Sequence, residues 1–152
     1  MSGLAIHGNL DIRERIMNLQ QSMQAGLEEG IFLEGDFPLT HYFAPGLYIR
    51  EMLIPAGSAV VGKIHKHAHF NDISKGRVRV CTEFGFEILE APCRFVSLPG
   101  TKRAVFAETD TVWTTFHPTD KTDPDEIVDD VTAKDYDEFN ALSYTDIKGL
   151  IA

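Results

Sequence analysis

Cysteine is nearly missing from this 152-residue chain: Cys81 and Cys93 are the only two, and no C-x-x-C spacing relates them. That argues against a thiolate zinc site and fits two small, isolated thiols in a reducing cytosol. Nowhere do 18 apolar residues run together, so no membrane-spanning helix is expected. The start, MSGLAIHGNLDIRER, lacks the basic-then-apolar order of a signal peptide, and a cytoplasmic location is the expectation. Basic residues are outnumbered, 14 Lys and Arg against 23 Asp and Glu for a net charge of −9, which disfavours nucleic acid and anionic membranes as partners. No G-x-S-x-G surrounds Ser58, Ser74 or Ser97, so a hydrolase nucleophile is not indicated. Glycine-rich phosphate loops are absent too, and no nucleotide cofactor is expected.

What is present describes one domain with a proper core. Hydrophobic residues make up 43% and charged residues 24%, a balance typical of soluble globular proteins. In residues 11–28, Ile12, Ile16, Leu19, Met23 and Leu27 line one face of an amphipathic helix, with Asn9 or Asp11 as cap and Gly30 as stop. From Ile31 the texture changes to short runs rich in Val, Ile, Phe, Tyr and Thr, at 48–54, 60–70, 77–83, 86–89, 94–98, 104–107 and 111–117, each followed by turn residues. Short strands at that spacing predict an all-β sandwich or barrel and disfavour parallel βαβ folds. The last third is acidic. Asp123-Pro124-Asp125-Glu126 has the order of a helix start, and a second short helix is predicted around 134–142.

The stretch 57–76, GSAVVGKIHKHAHFNDISKG, carries His65, His67 and His69, each two residues from the next. On a strand such residues share a face, about 6.6–7 Å apart. Two neighbours can then meet one metal ion at about 2.0–2.2 Å, and a third joins only where the strand bends, as a barrel interior allows. The alternative is a polar cavity that binds an anion or small ligand without metal. Glu51, Glu83, Glu87 and Glu90 also fall on predicted strands, but spacing does not bring any two across a cleft.

The run IPAGSAVVGKIHKHAHFNDISKGRVRV resembles the first motif of the cupin superfamily: a glycine, five residues, His-x-His, three or four residues, Glu, six residues and a second glycine. Framed on Gly57 and Gly76, Lys63 stands at the first histidine position, His65 at the second and His69 at the glutamate position, with His67 extra. APCRFVSLPGTKRAVFA resembles the second motif through its Pro99-Gly100 turn, but Arg103 or Ala104 falls where a histidine ligand is usual. The likeness spans roughly 40–119. HYFAPGLYIREMLIPAG, GKIHKHAH, SLPGTKR and DTVWTTFHPT are similar to small cupin-like proteins of tailed bacteriophages and prophages, which implies a setting (host cytoplasm or virion) rather than a reaction.

The resemblance implies a single-domain cupin-like β-barrel (double-stranded β-helix or jelly roll), with an N-terminal helical extension at 1–30, the barrel at 31–119 and an acidic, partly helical tail at 120–152. It implies that His65, His69 and, by parity, His67 face the interior, joined there by His117 at the end of the last strand. Imidazoles with no carboxylate suit a divalent transition metal, zinc or iron before manganese or nickel. Lys63 and Arg103 would clamp an anionic group, and Trp113, of the same parity as His117, would line the pocket wall or pack in the core. A homodimer or larger assembly is expected, with residues 11–28 at the contact. Two functions compete: a metal-dependent enzyme of isomerase, epimerase or dioxygenase type, and a non-catalytic binding or assembly protein of phage origin.

Overall fold

The computed structural model describes residues 10–28 and 37–142. Helix α1 (Leu10–Glu28) precedes ten strands: β1 (Leu39–Ala44), β2 (Leu47–Ile54), β3 (Ala59–Val61), β4 (Ile64–His65), β5 (His69–Lys75), β6 (Arg77–Thr82), β7 (Gly85–Glu90), β8 (Cys93–Ser97), β9 (Ala104–Ala107) and β10 (Thr111–His117). Helix α2 (Pro124–Val131), a two-residue strand β11 (Thr132–Ala133) and helix α3 (Tyr136–Asn140) follow. Every ladder is antiparallel: a five-stranded sheet β1-β2-β10-β5-β8 faces a four-stranded sheet β3-β9-β6-β7, and β11 pairs with β4.

Alternation along the strands builds the core between the sheets. Ile54, Ile73, Val78, Val80, Leu89, Val105, Ala107 and Trp113 are buried there together. The outward face of the large sheet is unusually apolar: Tyr42, Ile49, Phe116, Phe70 and Val96 stand in register as one row across all five strands. Phe70 in that row is 61% exposed.

The structure breaks the strand predicted at 60–70. Gly62 and Lys63 leave β3, a bend falls at Lys66 and His67, and three short strands result. Asn71 and Asp72, expected as a turn, lie inside β5 because both side chains are satisfied there. Asn71 bonds Ser97 and Trp113, and Asp72 holds Arg94 at 2.8 Å. Strand β1 carries no strong apolar alternation and was missed.

Helix α1 packs part of its stripe on its own barrel, while Leu19 of that stripe is exposed. Ile16 is buried, Arg13 pairs with the largely buried Glu83 at 2.7 Å, and Met17 packs near Ile64 and Tyr136. Asp11 lies in its first turn, paired with Arg15, whereas the expected cap Asn9 and stop Gly30 lie outside the described residues. Asp123 caps α2 as the sequence predicts, accepting from the Asp125 N–H with Pro124 in the first turn.

The two glycines that frame the histidine stretch differ in what they tolerate. Both have positive φ, +81° at Gly57 and +101° at Gly76. A Cβ on Gly57 would meet nothing within 4 Å, while one on Gly76 would lie 2.3 Å from Thr111 Oγ1 and 2.6 Å from the Asp110 carbonyl oxygen. Gly57→Ala is therefore expected to cost about 1 kcal/mol through its backbone alone, and Gly76→Ala upwards of about 2 kcal/mol. Urea unfolding of the two variants measures this, and equal losses would defeat the steric argument.

Candidate metal and ligand pocket

The histidines come together because the chain changes sheets between β3 and β5. The corner is held by backbone bonds. The Gly62 N–H donates to Arg103 O at 2.8 Å, Gly100 N–H to His65 O at 2.8 Å and Lys66 N–H to Val131 O at 2.8 Å. The β4–β11 ladder sets Thr132 opposite His65 and Ala133 opposite Ile64. Gly100 fits this corner because α3 presses on it: a Cβ there would lie 2.8 Å from the Phe139 ring.

His65 on β4, His69 at the start of β5 and His117 at the end of β10 form one cluster. Their ligating nitrogens lie within 4.8 Å of one another. Ring centroids are 4.3 Å apart for His65 and His69, 4.9 Å for His69 and His117, and 5.8 Å for His65 and His117. A tetrahedral ion held at about 2.1 Å separates its ligand atoms by about 3.4 Å, so modest ring rotations close the set. Nδ1 of His65 is buried without a hydrogen-bond partner, as a nitrogen left for such an ion would be.

All three rings are held neutral. Burial first, then the charges of neighbouring groups, push His65 down to about 2, His117 to about 3 and His69 to about 4. A neutral imidazole is the ligating form. Tyr48 walls the cluster, its ring stacked 6.0 Å from His117 and its hydroxyl 2.7 Å from His41 Nδ1. His41 thus supports the wall and does not reach the cluster.

His67 is the departure. The bend at Lys66–His67 interrupts the alternation that parity assumed, so His67 stays outside the trio and turns toward Asp130 at the end of α2. Burial lowers its pKa, against the opposing pull of the Asp130 backbone. Lys63, Arg103 and Trp113 all line the same cavity as the trio, a space of about 440 Å³. Arg103 donates to Ser97 Oγ at 2.7 Å, the Asn71 amide donates to the same oxygen at 2.7 Å, and the Trp113 indole donates to Asn71 Oδ1 at 3.0 Å. One buried network therefore fixes the arginine, the tryptophan and the strand that carries His69.

Sequence reasoning missed two contributors. Arg50 on β2 lines the cavity, and its parity with Tyr48 was the available signal. The acidic tail is more than a solvated surface: Ile127, Val128, Val131 and Thr132 form part of the cavity wall, with Asp125, Glu126, Asp129 and Asp130 turned outward. Burying Ile127 alone contributes about 1.5–3 kcal/mol to keeping that wall in place. Cys81 and Cys93 are free thiols outside the cavity lining.

Two facing antiparallel sheets with a three-histidine pocket between them define a cupin-type β-barrel. No protein-family model matches the sequence, and none of the curated proteins does. Among solved structures, a salicylate 1,2-dioxygenase from Pseudaminobacter salicylatoxidans superposes with a TM-score of 0.50 at 17% identity, over 62% of this chain and 30% of that one. An RmlC-like cupin from Shewanella frigidimarina gives 0.48 at 19% identity over 58% and 81% of the two chains. A Cupin 2 conserved barrel domain protein from Salinispora arenicola gives 0.45 at 12% over 56% and 78%. Likeness at these identities speaks to the fold alone. No described helix is long and apolar enough to cross a membrane.

The depressed imidazoles make acid stability a test of the cluster. An unfolded histidine titrates near 6.5, and these three titrate at about 2 to 4 when folded. Between those values the unfolded chain binds protons that the native chain does not. Their contribution to stability is complete above about pH 6.5 and declines as pH falls toward about 4, by up to about 1.4 kcal/mol per pH unit for each ring. In metal-free protein, His117→Gln is expected to flatten this decline in urea titrations run between about pH 6.5 and 4.5. An unchanged slope would show that the loss arises elsewhere.

Proposed function

We propose that this protein binds a divalent transition metal at His65, His69 and His117 and a small ligand in the cavity beside it. The observation that carries this is the convergence of three neutral imidazoles from three strands, His69 and His117 buried and His65 half-buried, on one point of the pocket. Three nitrogen ligands without a carboxylate favour zinc or iron over hard oxygen-seeking ions. Such an ion, when bound, supplies Lewis acidity at the positions the protein leaves open. The chain's own part is to hold the rings neutral, orient the ligand with its cations and exclude water with the α2 wall.

Catalysis of isomerase, epimerase or dioxygenase type is the enzyme form of this reading. The cavity lining offers no carboxylate as a general base, which favours a binding role. A metal-free anion pocket is the second reading, and the positive charge of Arg50 and Arg103 beside the trio supports it, since both repel a cation. A bacteriophage setting and an assembly role rest on the sequence resemblance only. Self-association belongs to the same proposal, supported by the exposed apolar row across the outer sheet and read by sedimentation equilibrium.

Purified, tag-free protein is expected to carry zinc or iron at near one ion per chain by elemental analysis. His65→Ala/His69→Ala is expected to lose it while remaining folded, and His67→Ala to keep it. Metal-free wild-type protein that gains no ion on incubation with zinc or ferrous iron would leave the second reading in force.

A further inference from the structure

The cavity holds more positive charge than a three-histidine centre needs. Arg50 points into it from β2 and has no hydrogen-bond or ion-pair partner among the described residues. Arg103 enters from the segment just before β9 with a single side-chain hydrogen bond, to the neutral Ser97 hydroxyl, and lies 5.2 Å over the Phe95 ring. Lys63 stands on the same lining, and no Asp or Glu does. The acid whose charge reaches Arg103 is Glu87, on β7 and outside the cavity lining. A guanidinium taken from water without a carboxylate partner is costly, and two in one cavity call for a common anion. Both sit close enough to act on the trio: the charges of Arg50 and Arg103 each reach His65, Arg50 also reaches His117, and Arg103 reaches His69.

Much of the remaining wall is apolar. Phe37, Met52, Ile54, Val60, Val105 and Trp113 line it. Inorganic phosphate would satisfy the guanidiniums but would leave this surface with no partner. A carboxylate on a hydrocarbon body satisfies both, and planar carboxylates match the forked donors of arginine.

We propose that the cavity takes a small organic carboxylate, its charged end held by Arg50 and Arg103 beside the histidine trio and its apolar body against Trp113. This rests on reading the cavity as a ligand site, and it assigns Arg50 as a specificity-determining residue. It holds with or without a metal. With one, ligand and ion each offset charge the other finds unfavourable, so each tightens the other's binding by the same factor.

Trp113 is the chain's one tryptophan and reports on the cavity directly. The full chain, chelator-treated and again with zinc added, is titrated with benzoate, hexanoate, benzamide, hexanamide and inorganic phosphate. Indole fluorescence and calorimetry provide the readouts. At least one carboxylate is expected to bind tenfold or more tightly than its amide and than phosphate. Arg50→Met is expected to weaken that carboxylate at least tenfold, Arg50→Lys less so, and Arg50→Met to retain zinc and to melt no lower than the wild type in the absence of ligand. Arg103→Met provides a second route to the same loss should Arg50→Met fail to fold. Amides binding as well as carboxylates, preference for phosphate, no binding by either carboxylate in either state, or indifference to both arginine variants would overturn the proposal. Carboxylate binding in protein that takes up neither zinc nor ferrous iron would sink the metal reading and leave this one standing.

Discussion

The pocket depends on one crossing of the chain from the small sheet to the large one, between Val61 and His69. The segment between them cannot remain a single strand and serve both sheets, so the ladder is given up at Gly62 and again at Lys66–His67. The freed backbone groups are satisfied by the segment after the Pro99-Gly100 turn on one side and by Val131 to Ala133 on the other. His65 is therefore positioned by two distant stretches, not by its neighbours in sequence. Removing either set of partners would leave buried N–H and C=O groups unpaired and release the ring from its companions.

That dependence explains which parts were legible in the sequence. Strands β9 and β10 agree with prediction because each has turn residues at both ends and a strong β-forming run between them. The Gly57 and Gly76 frame was readable because positive φ leaves few residues to choose from. His65, His69 and His117 could be named from motif spacing and from the end of the last strand. His67 could not be told apart from them, since the bend that turns it away is imposed by Val131 and Thr132, more than 60 positions later. Arg50 was overlooked for a related reason. A lone arginine on a predicted strand reads as a solvated residue until the facing sheet shows no acid to pair it.

The tail makes the same point from the opposite direction. Its composition announces a hydrated acidic surface, and half of that is true. Along α2 the acids occupy one face and Ile127, Val128 and Val131 the other, so a single helix both caps the cavity and keeps its carboxylates out of it. Tyr136 then carries the connection onward, under the Arg13 guanidinium at 3.7 Å and with its hydroxyl toward the Gly100 carbonyl at 3.4 Å. Helix α1, the second-motif turn and the tail thus share one small core around Ile64, Ala133 and Tyr136, directly behind His65.

Charge is segregated by this arrangement, and the net value of −9 conceals it. Carboxylates lie outside the cavity, while two guanidiniums and an ammonium line it with three imidazoles too deeply buried to ionise near neutral pH. Adding a divalent ion alone would raise the cavity's positive charge further, against two fixed guanidiniums. Adding an anion alone would pair the guanidiniums, and Nδ1 of His65 could donate to it in the tautomer that carries the proton there. On the proposed reading an ion would engage the imidazole nitrogens and an anionic ligand the guanidiniums, so the two halves of the site would answer each other's charge.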